Sequence, residues 1–112
     1  MTKLVKNVEQ GIAFELEKLV DYEEGVISSL TLAQTKGVGM TLFALAKGEA
    51  IGEHAAPGDA MVLILDGEAE IKIDGKVTIV KKGESIIMPR NIPHALDAKN
   101  AFKMLLTVVN EV

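Results

Sequence analysis

The chain has 112 residues, of which 48% are hydrophobic, and a formal net charge of −4. That length suits one folded unit with ample apolar material for a closed core. A mildly acidic balance repels a phosphate backbone, and no basic run would hold an anionic membrane surface, so neither nucleic acid nor membrane is expected as a partner. There are no cysteines, which excludes disulfides, thiol catalysis and thiolate metal sites. Aromatic residues are scarce, with three Phe, one Tyr and no Trp, so stacking platforms for bases or sugars are not expected.

Residues 1–10 mix Lys, Asn, Glu and Gln with Val and Leu and lack the apolar stretch of a signal peptide. The apolar runs, such as Ala60–Leu65, are too short to span a bilayer. A soluble cytoplasmic protein is the expectation. In the segment Ile12–Val20, apolar residues at Ile12, Leu16, Leu19 and Val20 predict a short amphipathic helix or helical turn. An N-terminal arm over about 1–24 is expected, followed by a barrel over about 25–112 within a single domain.

From Gly25 onward the period changes to that of strands. Val26–Leu32 is rich in β-formers, and Met40–Ala46 follows a Gly37-Val38-Gly39 break. Met61–Leu65 runs into Asp66-Gly67, which predicts a turn there. Ala69–Ile73 alternates, with Ala69, Ile71 and Ile73 on one face and Glu70 and Lys72 on the other. Asp74-Gly75 then predicts a tight hairpin into Lys76–Val80. Lys82-Gly83 precedes a strand over Ser85–Met88, and a final strand is expected over Phe102–Val109. Roughly eight short strands with turn signals between them indicate an all-β antiparallel sandwich or barrel rather than a βαβ fold. Several strands are apolar on both faces, and the second face needs a cover. A homodimer is expected on that ground.

The chain's glycines and its two histidines fall into a pattern. Gly48 is followed at the sixth position by His54, and Gly67 closes the stretch; Gly83 is followed by Pro89 and His94. This resembles the two motifs of the cupin family, G-x5-H-x-H-x3,4-E-x6-G and G-x5-P-x-G-x2-H-x3-N. The resemblance implies a double-stranded β-helix of the jelly-roll type. It also implies a metal site at which two histidines two apart, a glutamate and a late histidine converge on Fe, Mn, Ni, Zn or Cu.

Here the second motif histidine falls on Ala56 and the glutamate on Ala60, so only His54 and His94 remain. The motif glycine after Pro89 falls on Asn91, a residue that tolerates left-handed backbone. The late Asn falls on Ala98. Asp59 is the candidate substitute ligand, if a bulge near Pro57-Gly58 resets its direction. Two imidazoles with waters hold a divalent ion weakly, so the expected cofactor is none or a loosely bound ion.

The favoured reading is therefore a binding module. A small, largely apolar molecule enters the barrel, with His54 and His94 as polar contacts and Met61 and Met104 (Met88 also) in the wall. The alternatives are a metal-dependent dioxygenase or isomerase of the cupin type with an incomplete two-His site, and a metal-free isomerase using a histidine base with Tyr22 or Arg90. A further alternative is a barrel that serves assembly alone. Ligand identity, catalysis and pathway are not legible at this stage.

Overall fold

The computed structural model describes residues 3–112; the first two residues of the expected arm lie outside it. Eight strands follow one short 3₁₀ helix: β1 Ile27–Gln34, β2 Val38–Leu45, β3 Ala50–His54, β4 Asp59–Ile73, β5 Lys76–Lys81, β6 Ser85–Met88, β7 His94–Asp97 and β8 Phe102–Val109. Every strand pairing is antiparallel. The order runs β1-β2-β8-β4-β7-β3, with β5 and β6 each paired to β4. This is the all-β barrel expected from the sequence. No helix among the described residues is long and apolar enough to cross a membrane.

One sequence expectation needs correction. Asp66-Gly67 is not a turn between two strands. β4 runs through it as a single strand of 15 residues. Its first part pairs with β8 and β6, its later part with β5 and β7. The register against β8 shifts between Ile64 and Asp66, and Gly67 has φ of 72°. A bulge with a left-handed glycine bends a strand without ending it, so the same Asp-Gly signal serves a corner rather than a hairpin. At Asp74-Gly75 the hairpin does form, with both φ values positive.

The barrel interior is filled by alternate residues of these strands. Val62, Ile64, Ala69 and Ile71 of β4 point inward, with Leu45, Val80, Leu96, Phe102 and Met104 from its neighbours. A second cluster lies outside the barrel. There the arm's Val8, Leu16, Leu19 and Val20 pack over Leu30, Leu32, Met40, Leu42, Ala44, Leu65 and Leu105. The cover that a partner subunit was expected to supply is thus furnished, over this part of the face, by the chain's own arm. Met61, Ile87 and Val109 of the same outer face remain exposed.

The helix expected over Ile12–Val20 is shorter than its pattern. Only Leu16–Leu19 is helical, as a 3₁₀ turn with no side-chain cap, and Ile12 is exposed. In a 3₁₀ turn residues three apart align, so Leu16 and Leu19 reach the sheet together, while the arm before them runs through bends and turns, with left-handed backbone at Asn7 and Gly11.

Polar contacts fasten the arm. The Lys6 backbone N–H donates to the Leu32 carbonyl at 2.7 Å, and the Asn7 side-chain amide donates to the Thr31 carbonyl at 2.6 Å. Tyr22 Oη donates to Asp66 Oδ2 at 2.6 Å. Lys103 Nζ donates to the Glu17 carbonyl at 2.7 Å while standing 5.0 Å from the centre of the Tyr22 ring. Desolvation, then the hydrogen bond to Asp66, pushes the Tyr22 phenol above its ordinary range, which keeps it a donor.

Two predictions follow from this architecture. A Cβ at Gly67 would meet the Ala101 carbonyl as well as impose left-handed strain. Gly67→Ala therefore lowers unfolding stability by at least ~1 kcal/mol, whereas Gly52→Ala, with open space around it, stays within ~0.5 kcal/mol of the parent; urea unfolding of both variants checks this. Lys103→Met keeps the stem over the Tyr22 ring but removes the donor to Glu17. Hydrogen exchange should then rise in the arm and leave β4 and β8 unchanged.

Candidate functional site

β3 and β7, two short strands that hydropathy alone does not mark, carry the two histidines. They pair so that His54 stands directly opposite His94. Strand alternation alone would not aim both residues 51 and 54 inward, because they are three apart. The register between β3 and β7 shifts between Ile51 and His54. That irregularity resets the direction, and both Ile51 and His54 face one cavity. The sequence reading placed a possible bulge later, at Pro57-Gly58; the structure has it before His54.

His94 begins β7, which lies between β3 and β4 and pairs with Ile73 on its other side. Being interior to the sheet, its side chain is only 4% exposed. Burial, and after it the neighbouring His54 ring, hold its pKa below the ordinary 6.5, against a smaller opposing effect of the Ile92 carbonyl. The two rings meet edge to face, with centroids 4.4 Å apart, and their Nε2 atoms are 3.2 Å apart. Each Nδ1 sits on a backbone carbonyl, His54 on Gly52 at 2.9 Å and His94 on Ile92 at 3.2 Å.

The turn that delivers His94 is held to the loop after β3. Asn91 has φ of 62°, the left-handed value its motif position demands, and its N–H donates to the Ala56 carbonyl at 2.7 Å. Asp59 Oδ1 accepts the Arg90 N–H at 2.8 Å. These two bonds fix the spacing of the loops that carry the rings.

The cavity beneath the histidines has a volume of about 340 Å³. Met88, Met104, Leu96, Ile51, Phe43 and Leu106 form much of its wall, with Ile27, Val108, Ala56 and Ala60 completing it. Ala56 and Ala60, the positions where the cupin motif would place a histidine and a glutamate, are thus cavity wall. Met104 and Met88 lie where the sequence reading put them. Met61 does not. It sits between the inward Ala60 and Val62, points to the outer face and is 44% exposed.

Asp59 is likewise turned outward, and its carboxylate is engaged by the Arg90 backbone. The only tyrosine and the only arginine also stand away from the cavity: Tyr22 bonds Asp66 and the Arg90 guanidinium pairs with Glu111 at 2.9 Å. Sequence reasoning missed Ile27, Phe43, Ile51, Leu96, Leu106 and Val108. Strand parity would have found those on β2 and β8, since Phe43, Leu106 and Val108 alternate with outward neighbours.

The donor set falls short of the metal centre that the motif implies. Two nitrogens at 3.2 Å would suit two adjacent ligands of one ion bound at about 2.0–2.1 Å. Among the described residues, however, no group of three or more His, Cys, Asp or Glu side chains stands close enough to hold a metal ion. The third and fourth ligand positions are alanines, and the four-ligand site does not fit.

An antiparallel β-helix barrel, open at a histidine pair set by two Gly-bounded motifs, defines the class of protein. The cupin domain family matches residues 41–110, and the chain belongs to that family. A conserved protein of unknown function from Streptococcus pyogenes is 45% identical over 99% of this chain and 97% of its own, with a TM-score of 0.96. A cupin superfamily protein from Desulfitobacterium hafniense is 33% identical over 96% and 98% of the two chains, with a TM-score of 0.91. A cupin 2 conserved barrel domain protein from Leptotrichia buccalis is 49% identical over 87% of this chain but only 47% of its own, with a TM-score of 0.85. No curated protein matches the chain.

The lowered His94 pKa has a sign that can be checked. Below 6.5 an unfolded histidine takes up a proton that the buried ring resists, so the unfolded state binds more protons. Stability is full above that value and declines as the pH falls toward the folded pKa. The melting temperature should drop on going from pH ~7 to ~5, and His94→Leu should flatten that slope.

Proposed function

We propose that the protein is a small-molecule binding module whose barrel takes a small, largely apolar ligand, with the His54–His94 pair contacting the ligand's polar end. The observation that carries this reading is the joining of an apolar cavity of about 340 Å³ to one isolated polar pair. Ligand cavities generally combine an apolar wall with a few convergent polar groups, and they start near ~300 Å³. Ten of the twelve lining residues are apolar, and the other two are His54 and His94. Alanines stand in the wall where the motif has ligating side chains, which favours an organic occupant over an ion.

Catalysis finds less support. Neither Tyr22 nor Arg90 lines the cavity, so a histidine base would have only the other histidine to hold a substrate in place. A metal-dependent reaction would need ligands that the chain does not bring to the pair.

Filling the cavity tests the proposal. Ala60→Leu places added methyls into the void, so its melting temperature should equal or exceed that of the parent. In a fragment screen by ligand-observed NMR, small apolar alcohols and acids that bind the parent should bind this variant at least tenfold more weakly. Equal binding to a folded variant would move the ligand site elsewhere.

A further inference from the structure

The protons of the histidine pair can be counted. Three contacts run in series: the Gly52 carbonyl to His54 Nδ1 at 2.9 Å, His54 Nε2 to His94 Nε2 at 3.2 Å, and His94 Nδ1 to the Ile92 carbonyl at 3.2 Å. A carbonyl oxygen only accepts, so each Nδ1 must carry a hydrogen. A neutral imidazole has one N–H. Two neutral rings therefore spend both of theirs on the backbone, and both Nε2 atoms are bare. Three contacts need three protons, and two rings supply two.

The outcome is a pair of lone pairs converging at the mouth of an apolar cavity. Rotating either proton to Nε2 only moves the mismatch, because that ring's Nδ1 lone pair then faces a carbonyl oxygen. The backbone carbonyls thus choose the tautomer, as a bond to one ring nitrogen fixes the role of the other. Nothing else in the cavity wall can supply the missing proton, since every other lining residue is apolar. The charged Asp59 and Arg90 of the motif loops are outside the wall, Asp59 accepting the Arg90 backbone N–H and the Arg90 guanidinium donating to Glu111.

We propose that this shortage of one proton selects the ligand: the cavity prefers a molecule whose polar end donates a hydrogen bond between the two Nε2 atoms, such as an alcohol, a phenol or an ammonium group, over one of equal shape that only accepts. The inference rests on the cavity-binding reading above and specifies its ligand class. A hydroxyl placed against the two nitrogens gives its one hydrogen to one lone pair or shares it between both, and an ammonium group donates a separate hydrogen to each. A ketone or ester oxygen placed there adds a third lone pair to the two already in conflict, and it leaves the buried His94 nitrogen without a donor, which is what makes such sites discriminate.

Two measurements test it. The first compares cyclohexanol with cyclohexanone, a donor and a pure acceptor of nearly the same size, by NMR titration of the parent and of the double variant His54→Leu/His94→Leu. The alcohol should bind the parent about tenfold more tightly, and the two should bind the variant within about twofold of each other. If the ketone binds as well as the alcohol, the donor rule is overturned while the cavity-binding reading stands. If neither probe binds, the cavity reading fails for molecules of this class, and the second measurement decides the proton count alone. In it, ¹⁵N-labelled histidines are examined at neutral pH, and both rings should show protonated Nδ1 and bare Nε2. A protonated Nε2 on either ring, or a stoichiometric metal ion retained by the pair in protein purified without a histidine tag, overturns the inference.

Discussion

The structure depends on the passage of β4 through both parts of the sheet. Its 15 residues touch β5, β6, β7 and β8, and no other strand has so many partners. A strand of that length can serve two differently inclined sheets only if it bends, and the register shift between Ile64 and Asp66, with the left-handed Gly67 just after it, supplies the bend. The Ala101 carbonyl lies where a side chain at Gly67 would project. The corner is therefore held by close backbone approach as well as by a permissive φ. β7 pairs with the far half of β4, and β3 pairs with β7. The position of both histidines is thus inherited from that one corner.

The site built on this frame is small, and every polar group in it is tied to backbone. The Ala56 carbonyl and the Asp59 carboxylate hold the loop that carries Pro89, Arg90 and Asn91. The Gly52 and Ile92 carbonyls hold the rings. The charged side chains that might have softened the pocket, those of Asp59 and Arg90, are turned out of it. What remains facing inward is hydrocarbon, two thioethers and two imidazole nitrogens. Such an interior cannot grip a divalent cation firmly, because hard ions need several oxygen or nitrogen donors. An apolar wall with one convergent polar pair is what the proposed binding of a small apolar molecule needs.

The arm gives a second lesson in how one surface finds its cover. Leu30, Leu42 and Leu105 stand side by side on the outer face across β1, β2 and β8, and such a ladder would be costly to leave in water. A partner subunit is one remedy for a sheet that is apolar on both sides. Here the residues before β1 provide another. Tyr22, Asp66, Lys103 and the Glu17 carbonyl form the polar fastening that keeps them in place.

Much of this was legible in the sequence. Gly48, His54, Gly67, Gly83, Pro89 and His94 matched the two cupin motifs, and that resemblance implied the particular barrel and named the two site histidines, while the alternating strands by themselves indicated only an antiparallel sandwich or barrel. The Asp74-Gly75 hairpin, the strands Ser85–Met88 and Phe102–Val109 and the left-handed Asn91 followed from local backbone preferences, which neighbours far along the chain do not alter.

The tertiary structure alone decided which way side chains face wherever a bulge interrupts alternation. It decided that Asp66-Gly67 is a corner rather than a turn, that His54 turns inward three residues after Ile51, and that Met61 turns out while Met104 turns in. A bulge arises from how two strands distant in sequence fit together, and one added residue reverses the direction of all that follow. For the same reason the pairing of two imidazoles through their Nε2 atoms, with both Nδ1 atoms on carbonyls, could not be read from the chain. Forty residues separate the rings, and only the closure of the barrel brings them together.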